Sequence, residues 1–274
     1  MKRSWERWLS WAKRPTGTVV IAGCSRSGTT ALFYTVKHAM PRDTLCLFEP
    51  LRFDATGAIT ANVLVKILVR HDRAVDFASF DGFGKKVLII RDPRDNIVSR
   101  LLYEVYNACC DDATVDAFVQ LLRRKEAEPH SVSLLQIIDL ADRITGRDLR
   151  ARSVATADLV LDFQRSHADY FVYRYEDFVR ADTASLEQYL ELALASGPLV
   201  VPADLSRVAR TRTSGDWRNW LTPADVEFFR PRFASFMRHN DYADDWTLAE
   251  RPSIPPEHAS HYVLRIAAER RATR

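Results

Sequence analysis

Short apolar runs alternate with longer amphipathic stretches along most of this chain. Val19, Val20, Ile21 and Ala22 are mostly β-branched and end at Gly23, as in a strand buried on both faces of a parallel sheet. A helix is expected from about Thr29 to Met40, stopped by Pro41, and Thr44 to Phe48 reads as a second short strand closed by Pro50. Leu51 to Phe80 is mixed, with a helix expected over Asn62 to Arg70. Lys86 to Ile90 is a clear strand, which Pro93 stops before the next helix begins. From Cys109 to His167 the apolar positions recur at i, i+3 and i+4, over Val115 to Leu122, Leu134 to Ile144 and Val154 to Phe163. Tyr170 to Tyr173 is a further strand. A helix follows over Ser185 to Ala195, ended by Gly197 and Pro198. Thr222 caps a last helix that has Pro223 at its first position.

Composition narrows this picture. A chain of 274 residues is long enough to bury a real core and fits one large α/β domain. The 39 basic and 36 acidic residues nearly balance, so charge gives no argument for a nucleic-acid partner, and none is expected. Cys24, Cys46, Cys109 and Cys110 form no CxxC pair, and the seven histidines form no HExxH. We therefore expect no metal site and a reducing, cytoplasmic location. No run approaches the roughly 18 apolar residues of a membrane span. The first residues differ from the rest: Trp5, Trp8 and Trp11 share one helical face among Lys2, Arg3, Arg7, Lys13 and Arg14. That basic, Trp-rich helix over residues 1–17 suits an anionic membrane surface, and equally suits docking onto the domain itself. Residues 18–250 are expected to form the main domain. Residues 251–274 read as a Pro-rich and then basic tail with no assigned function.

The candidate chemistry centres on Gly23 to Thr30, GCSRSGTT. Gly23 and Gly28 permit a tight turn that aims successive N–H groups and a helix N-terminus at one anion. Ser27, Thr29 and Thr30 add hydroxyls, and Arg26 adds a fork of donors suited to phosphate or sulfate. The spacing is that of a Walker loop, but Thr29 stands where the lysine belongs. Such a loop suits a phosphorylated donor bound without metal better than a nucleoside triphosphate with Mg²⁺. Glu49 at the end of the second strand should open into the same crevice as a candidate general base. Arg91 at the end of the next strand and Ser99 two turns into its helix could face a bound phosphate. Asp92 as a Mg²⁺ ligand is the alternative, disfavoured because a strand residue shifted by one points to the other face. Arg123, Arg124 and Lys125 read as a solvated charge run, Glu176 and Asp177 as caps. Ala209 to Thr222, ARTRTSGDWRNWLT, sets cations beside aromatic rings, which suits a phosphorylated nucleotide.

CSRSGTTAL, VLIIRDPRDNIVSR and SGDWRNWLT, with RYEDF between the last two, resemble in that order the motifs of the 3′-phosphoadenosine 5′-phosphosulfate (PAPS) dependent sulfotransferases. LFEPL at Leu47 to Leu51 looks like the carbohydrate branch. The resemblance covers most of the chain and implies an α/β, P-loop-like three-layer fold with a central parallel sheet flanked by helices. It also implies that Arg26, Ser27, Gly28, Thr29 and Thr30 hold the 5′-phosphosulfate and that Arg91 and Ser99 hold the 3′-phosphate. The third stretch, with Arg210, Arg212, Ser214, Gly215 and Trp217, would complete the cofactor site. Many members have Arg-Lys-Gly before the Gly-Asp-Trp, whereas this chain has Arg210, Thr211 and Arg212.

On this reading PAPS is the co-substrate and no metal takes part. Glu49 deprotonates the hydroxyl of a carbohydrate or glycolipid acceptor, with His71 a weaker candidate base. Arg26 and the loop neutralise the charge growing on the leaving 3′-phosphoadenosine 5′-phosphate (PAP). The alternatives are a sulfotransferase for another alcohol or phenol, a Mg²⁺-dependent kinase with an aberrant Walker loop, and a nucleotide-binding or membrane-adaptor protein without turnover.

Overall fold

The computed structural model describes residues 17–54, 62–108, 110–195, 202–208 and 210–272. Residues 1–16 of the helix expected over 1–17, Cys109, Gly197 and Pro198 lie outside them. Five strands form one parallel sheet: β1 (Thr18–Gly23), β2 (Leu45–Phe48), β3 (Val63–Leu68), β4 (Lys85–Ile90) and β5 (Phe171–Arg174), in the order β2-β3-β1-β4-β5. The chain leaves β1 for the edge at β2, returns to β3 and then crosses to β4. The strand order therefore reverses around β1, and a crevice opens beyond the carboxyl ends of β1 and β4, where parallel sheets bind ligands.

Successive side chains of β1 enter opposite layers. Val19 and Ile21 pack with Leu32, Phe33 and Val36 of α1 (Thr29–Ala39) and with Tyr173, Phe178 and Leu186. Val20 and Ala22 face the larger layer. Its helices are α2 (Pro93–Ala108), α3 (Asp112–Ala127), α4 (Leu134–Thr145) and α5 (Leu149–Ser166), joined by two later ones. Between the layers' contributions the chain makes two short helices, α6 (Tyr175–Val179) and α7 (Ala184–Leu190). The single turn α8 (Trp217–Trp220) leads to α9 (Pro223–His239), and α10 (Ser260–Ala272) closes the described chain. The sequence thus folds as the expected three-layer α/β structure.

Three local expectations need correction. Val63–Leu68 is a strand and not part of a helix over 62–70: it is paired on both sides and buried, and so short an apolar run satisfies either periodicity. The helix expected to reach Ala195 ends at Leu190, where Glu191 turns left-handed with φ 56°. Lys125 is no solvated charge, since its ammonium lies in the core and donates to the carbonyls of Pro129, at 2.7 Å, and Val132, at 2.5 Å. Burial pulls its pKa down to about 8, with Asp225 opposing.

Residues 260–272 continue the domain instead of trailing from it: Tyr262, Val263, Ile266 and Ala267 belong to the same core as α2 and α3. The Thr222 cap forms as expected, as a capping box with Asp225. The carboxylate of Asp225 also accepts from the N–H groups of Leu134 and Leu135, tying α9 to the start of α4. No helix among the described residues is long and apolar enough to cross a membrane.

Candidate active site

The loop between β1 and α1 is shaped by two close approaches. A Cβ on Gly23 would lie 2.6 Å from the Ile89 carbonyl oxygen, and one on Gly28 would lie 2.4 Å from the Tyr175 ring. Gly28 also has φ 95°, and Arg26 takes the left-handed conformation at φ 67°. Ser27 closes the turn from within: it is fully buried, and both its N–H, at 3.2 Å, and its hydroxyl, at 2.8 Å, donate to the Cys24 carbonyl. Its hydroxyl is therefore spent inside the loop and does not face the pocket. The first N–H groups of α1 have no carbonyl within the helix, and its first turn holds no acidic side chain.

A compact pocket of about 80 Å³ lies over that helix end, lined by Gly28, Thr29, Thr30, Arg26, Arg91 and Ser99 and closed by Tyr175, Val208, Arg210 and Arg212. The structure thus brings together seven sequence-selected residues from three separate stretches, together with Arg212 at the exposed edge. Arg91 is held with its Cζ 4.4 Å from the Tyr175 ring centre, and its Nη1 donates to the Arg26 carbonyl at 3.1 Å. Its Nε is buried with no acceptor among the described residues, while the side chain lines the pocket. A left-handed glycine, free helix N–H groups and an unmatched guanidinium nitrogen suit a phosphate or sulfate group.

The third stretch divides. Arg210 reaches the pocket wall, yet its guanidinium is engaged with Asp216 at 2.7 Å and with the His258 carbonyl at 3.2 Å. Ser214, Gly215 and Trp217 do not line the pocket. Trp217 is core, packed beneath Arg94 at 4.1 Å, because its ring fills the space between α2 and Trp246. Asp95 explains the motif instead: its carboxylate accepts the N–H of Gly215 at 2.6 Å and of Trp217 at 2.9 Å, fixing this loop to the first turn of α2. Burial pushes the Asp95 carboxyl up, against the neighbouring Arg91.

Arg26 stands where the pocket meets a larger cleft of about 910 Å³. Its Nε donates to Ser99 Oγ at 3.1 Å, its Nη2 to the Val208 carbonyl at 2.9 Å and to Tyr262 Oη at 3.4 Å, and its Cζ lies 4.4 Å from the Tyr103 ring. Glu49 lines the cleft, as the strand-end argument expects. The β2–β3 register sets Phe48 beside Lys66. Glu49 then donates its N–H to the Lys66 carbonyl at 2.8 Å and accepts the Lys66 ammonium at 2.5 Å on Oε1. Burial lowers the pKa of Lys66, and Glu49 opposes that shift. His71 also lines the cleft but has its Nε2 3.0 Å from the Ala155 carbonyl oxygen.

Sequence reasoning missed Lys66, Asp95, Tyr175 and Tyr262. The charge within VLVKIL and the second aspartate of RDPRD were the available signals. For Tyr262 the signal was the pair of apolar doublets, Tyr262–Val263 and Ile266–Ala267, in the tail. Asp92 is buried in a pair with Arg94, donors at 2.7–3.1 Å, and its backbone N–H donates to Glu176 at 2.9 Å. It faces away from the pocket. Glu176, expected as a cap, instead accepts that N–H and the Tyr242 hydroxyl. No three His, Cys, Asp or Glu side chains come together to hold a metal among the described residues.

No protein-family model and no curated protein matches the sequence. Among solved structures the chain is similar to mouse sulfotransferase SULT7A1 complexed with PAP, at 15% identity and TM-score 0.50, over 82% of this chain and 86% of that one. The central parallel sheet and its flanking helices thus compose an α/β fold similar to that of this neighbour.

Proposed function

We propose that this protein is a sulfotransferase that moves the sulfuryl group of PAPS to a hydroxyl of a carbohydrate or glycolipid, by in-line transfer without a metal. The observation that carries the reading is the meeting of two spaces at Arg26. On one side lies an anion pocket with an unmatched Arg91 donor, on the other a polar cleft that contains Glu49. PAPS supplies an activated sulfuryl group. The N–H groups opening α1, the hydroxyls of Thr29 and Thr30, and Arg26 hold the 5′-phosphate end, while Arg91 and Ser99 hold the 3′-phosphate. Arg210 and Arg212 border the same pocket. Ser27, Gly215 and Trp217 act by fixing the loops.

Glu49 takes the proton of the attacking hydroxyl as the new oxygen–sulfur bond forms and the old one breaks. Lys66 occupies Oε1, which leaves Oε2 for the acceptor. The negative charge left on the bridging oxygen falls beside Arg26 and the helix N-terminus. Pairing of Asp92 with Arg94 and Thr29 at the Walker lysine position speak against a Mg²⁺-dependent kinase. The test is transfer of radiolabelled sulfate from PAPS to a panel of glycosides. Wild type should label one of them without Mg²⁺, and Glu49→Gln should keep PAP binding while losing most turnover. Near-normal turnover in Glu49→Gln would move the base elsewhere, and labelling of phenols alone would remove the carbohydrate acceptor.

A further inference from the structure

We infer, resting on the sulfotransferase reading, that the acceptor carries a fixed negative charge beside the hydroxyl it presents: a carboxylate, sulfate or phosphate ester. The cleft beyond Arg26 is lined by six cations and three carboxylates. Two of the cations are matched within the protein, Lys66 by Glu49 at 2.5 Å and Arg147 by Glu104. Arg70 and Arg152 share one carboxylate, that of Asp72, at 2.7 Å and 3.2 Å. Arg100 donates to the uncharged hydroxyl of Thr156 and pairs with no carboxylate among the described residues. Arg26 is committed to the donor. The wall made by Arg70, Arg100 and Arg152 therefore holds three guanidinium groups against one carboxylate.

These three arginines come from separate elements, after β3, on α2 and on α5, and converge on one side of the cleft. A neutral polyol offers such a wall only weak dipoles, whereas an oxyanion answers its charge and accepts its forked donors. Asp72 already illustrates the fit, since both its oxygens accept from Arg70, at 2.7 Å and 2.8 Å, while Arg152 reaches one of them. Burial pulls the pKa of Arg100 down and the Arg152 charge adds to that shift, against Cys24, Glu104 and Asp72, so a further anion beside it would favour its charged form.

The test uses two acceptor probes that differ at one carbon, 4-nitrophenyl β-D-glucuronide and 4-nitrophenyl β-D-glucoside, titrated calorimetrically with and without saturating PAP at low ionic strength. The glucuronide should bind about tenfold more tightly, the size of one partly exposed charge-assisted contact, and the ratio should shrink as salt is added. Arg152→Ala should bring the ratio toward one, and Asp72→Asn, which removes the competing carboxylate, should raise it. Equal or weaker binding of the glucuronide, a ratio unmoved by both variants, or binding of neither glycoside would overturn the proposal. PAP titration of the same samples reports separately on the donor site: its failure would remove the sulfotransferase reading, while the glycoside ratio without PAP still tests the charge of the cleft.

Discussion

Glu49 and Lys66 form a lopsided pair, and the asymmetry predicts which partner the fold depends on. The Lys66 side chain is 3% exposed and that of Glu49 25%, with nitrogen and oxygen 2.5 Å apart. At an effective dielectric constant near 20 that separation corresponds to about 7 kcal/mol of gross attraction, most of which offsets the lost hydration of the ammonium. Glu49→Gln strands a buried cation. Breaking a fully buried pair in this way costs about 3–5 kcal/mol, and the exposure of Glu49 puts the expectation at about 3 kcal/mol. Lys66→Met keeps the apolar stem and leaves Glu49 facing water, so it should cost no more than about 1 kcal/mol, including the contact of the ammonium with the Phe48 ring at 4.0 Å. Thermal unfolding then drops by about 6–12 °C in the first variant and by less than about 4 °C in the second. The double variant Glu49→Gln/Lys66→Met should recover most of the loss. Urea titrations with unchanged slope check the same numbers. A larger loss in Lys66→Met than in Glu49→Gln would refute the reasoning.

Other perturbations probe other parts of the molecule. Gly28→Ala adds a methyl against the Tyr175 ring at a backbone angle that disfavours it, and should cost at least about 2 kcal/mol together with most PAP affinity, read by denaturation and calorimetry. Asp225→Ala leaves the buried N–H groups of Leu134 and Thr222 without acceptors and should destabilise by roughly 3–5 kcal/mol in urea titration. The Arg70 hydrogen bonds hold the Asp72 carboxyl at about 2, below its ordinary 3.8. Between those values the unfolded chain binds more protons, so this group's contribution is complete above the ordinary value and fades as pH falls to about 2. Asp72→Asn should flatten that part of the acid unfolding curve.

Much of this was legible because the signals are local. The run Val19 to Gly23, the glycine turn and the hydroxyls after it specify a strand, a loop and a helix within a dozen residues, and the structure builds them there. Thr222, Pro223 and Asp225 specify a helix start in the same way. What escaped depends on distant partners. Lys66 interrupts an apolar run and reads as a helix face until the strand register sets it beside Phe48 and Glu49. SGDW reads as a ligand contact until Asp95, 120 positions earlier than Gly215, is seen to hold its backbone. The apolar doublets of the tail mark Tyr262 as buried, but not that it reaches Arg26 across the fold.

The central claim is that the pocket between β1 and β4 binds the 3′,5′-bisphosphate of the donor. Calorimetric titration of wild type and Arg91→Ala with PAP, beside ATP with Mg²⁺, tests it most directly. The account predicts tight binding of PAP alone, weakened roughly 10- to 150-fold in Arg91→Ala by the loss of a charge-assisted hydrogen-bond donor. Binding of ATP with Mg²⁺ in place of PAP, or PAP affinity unchanged in Arg91→Ala, would contradict it.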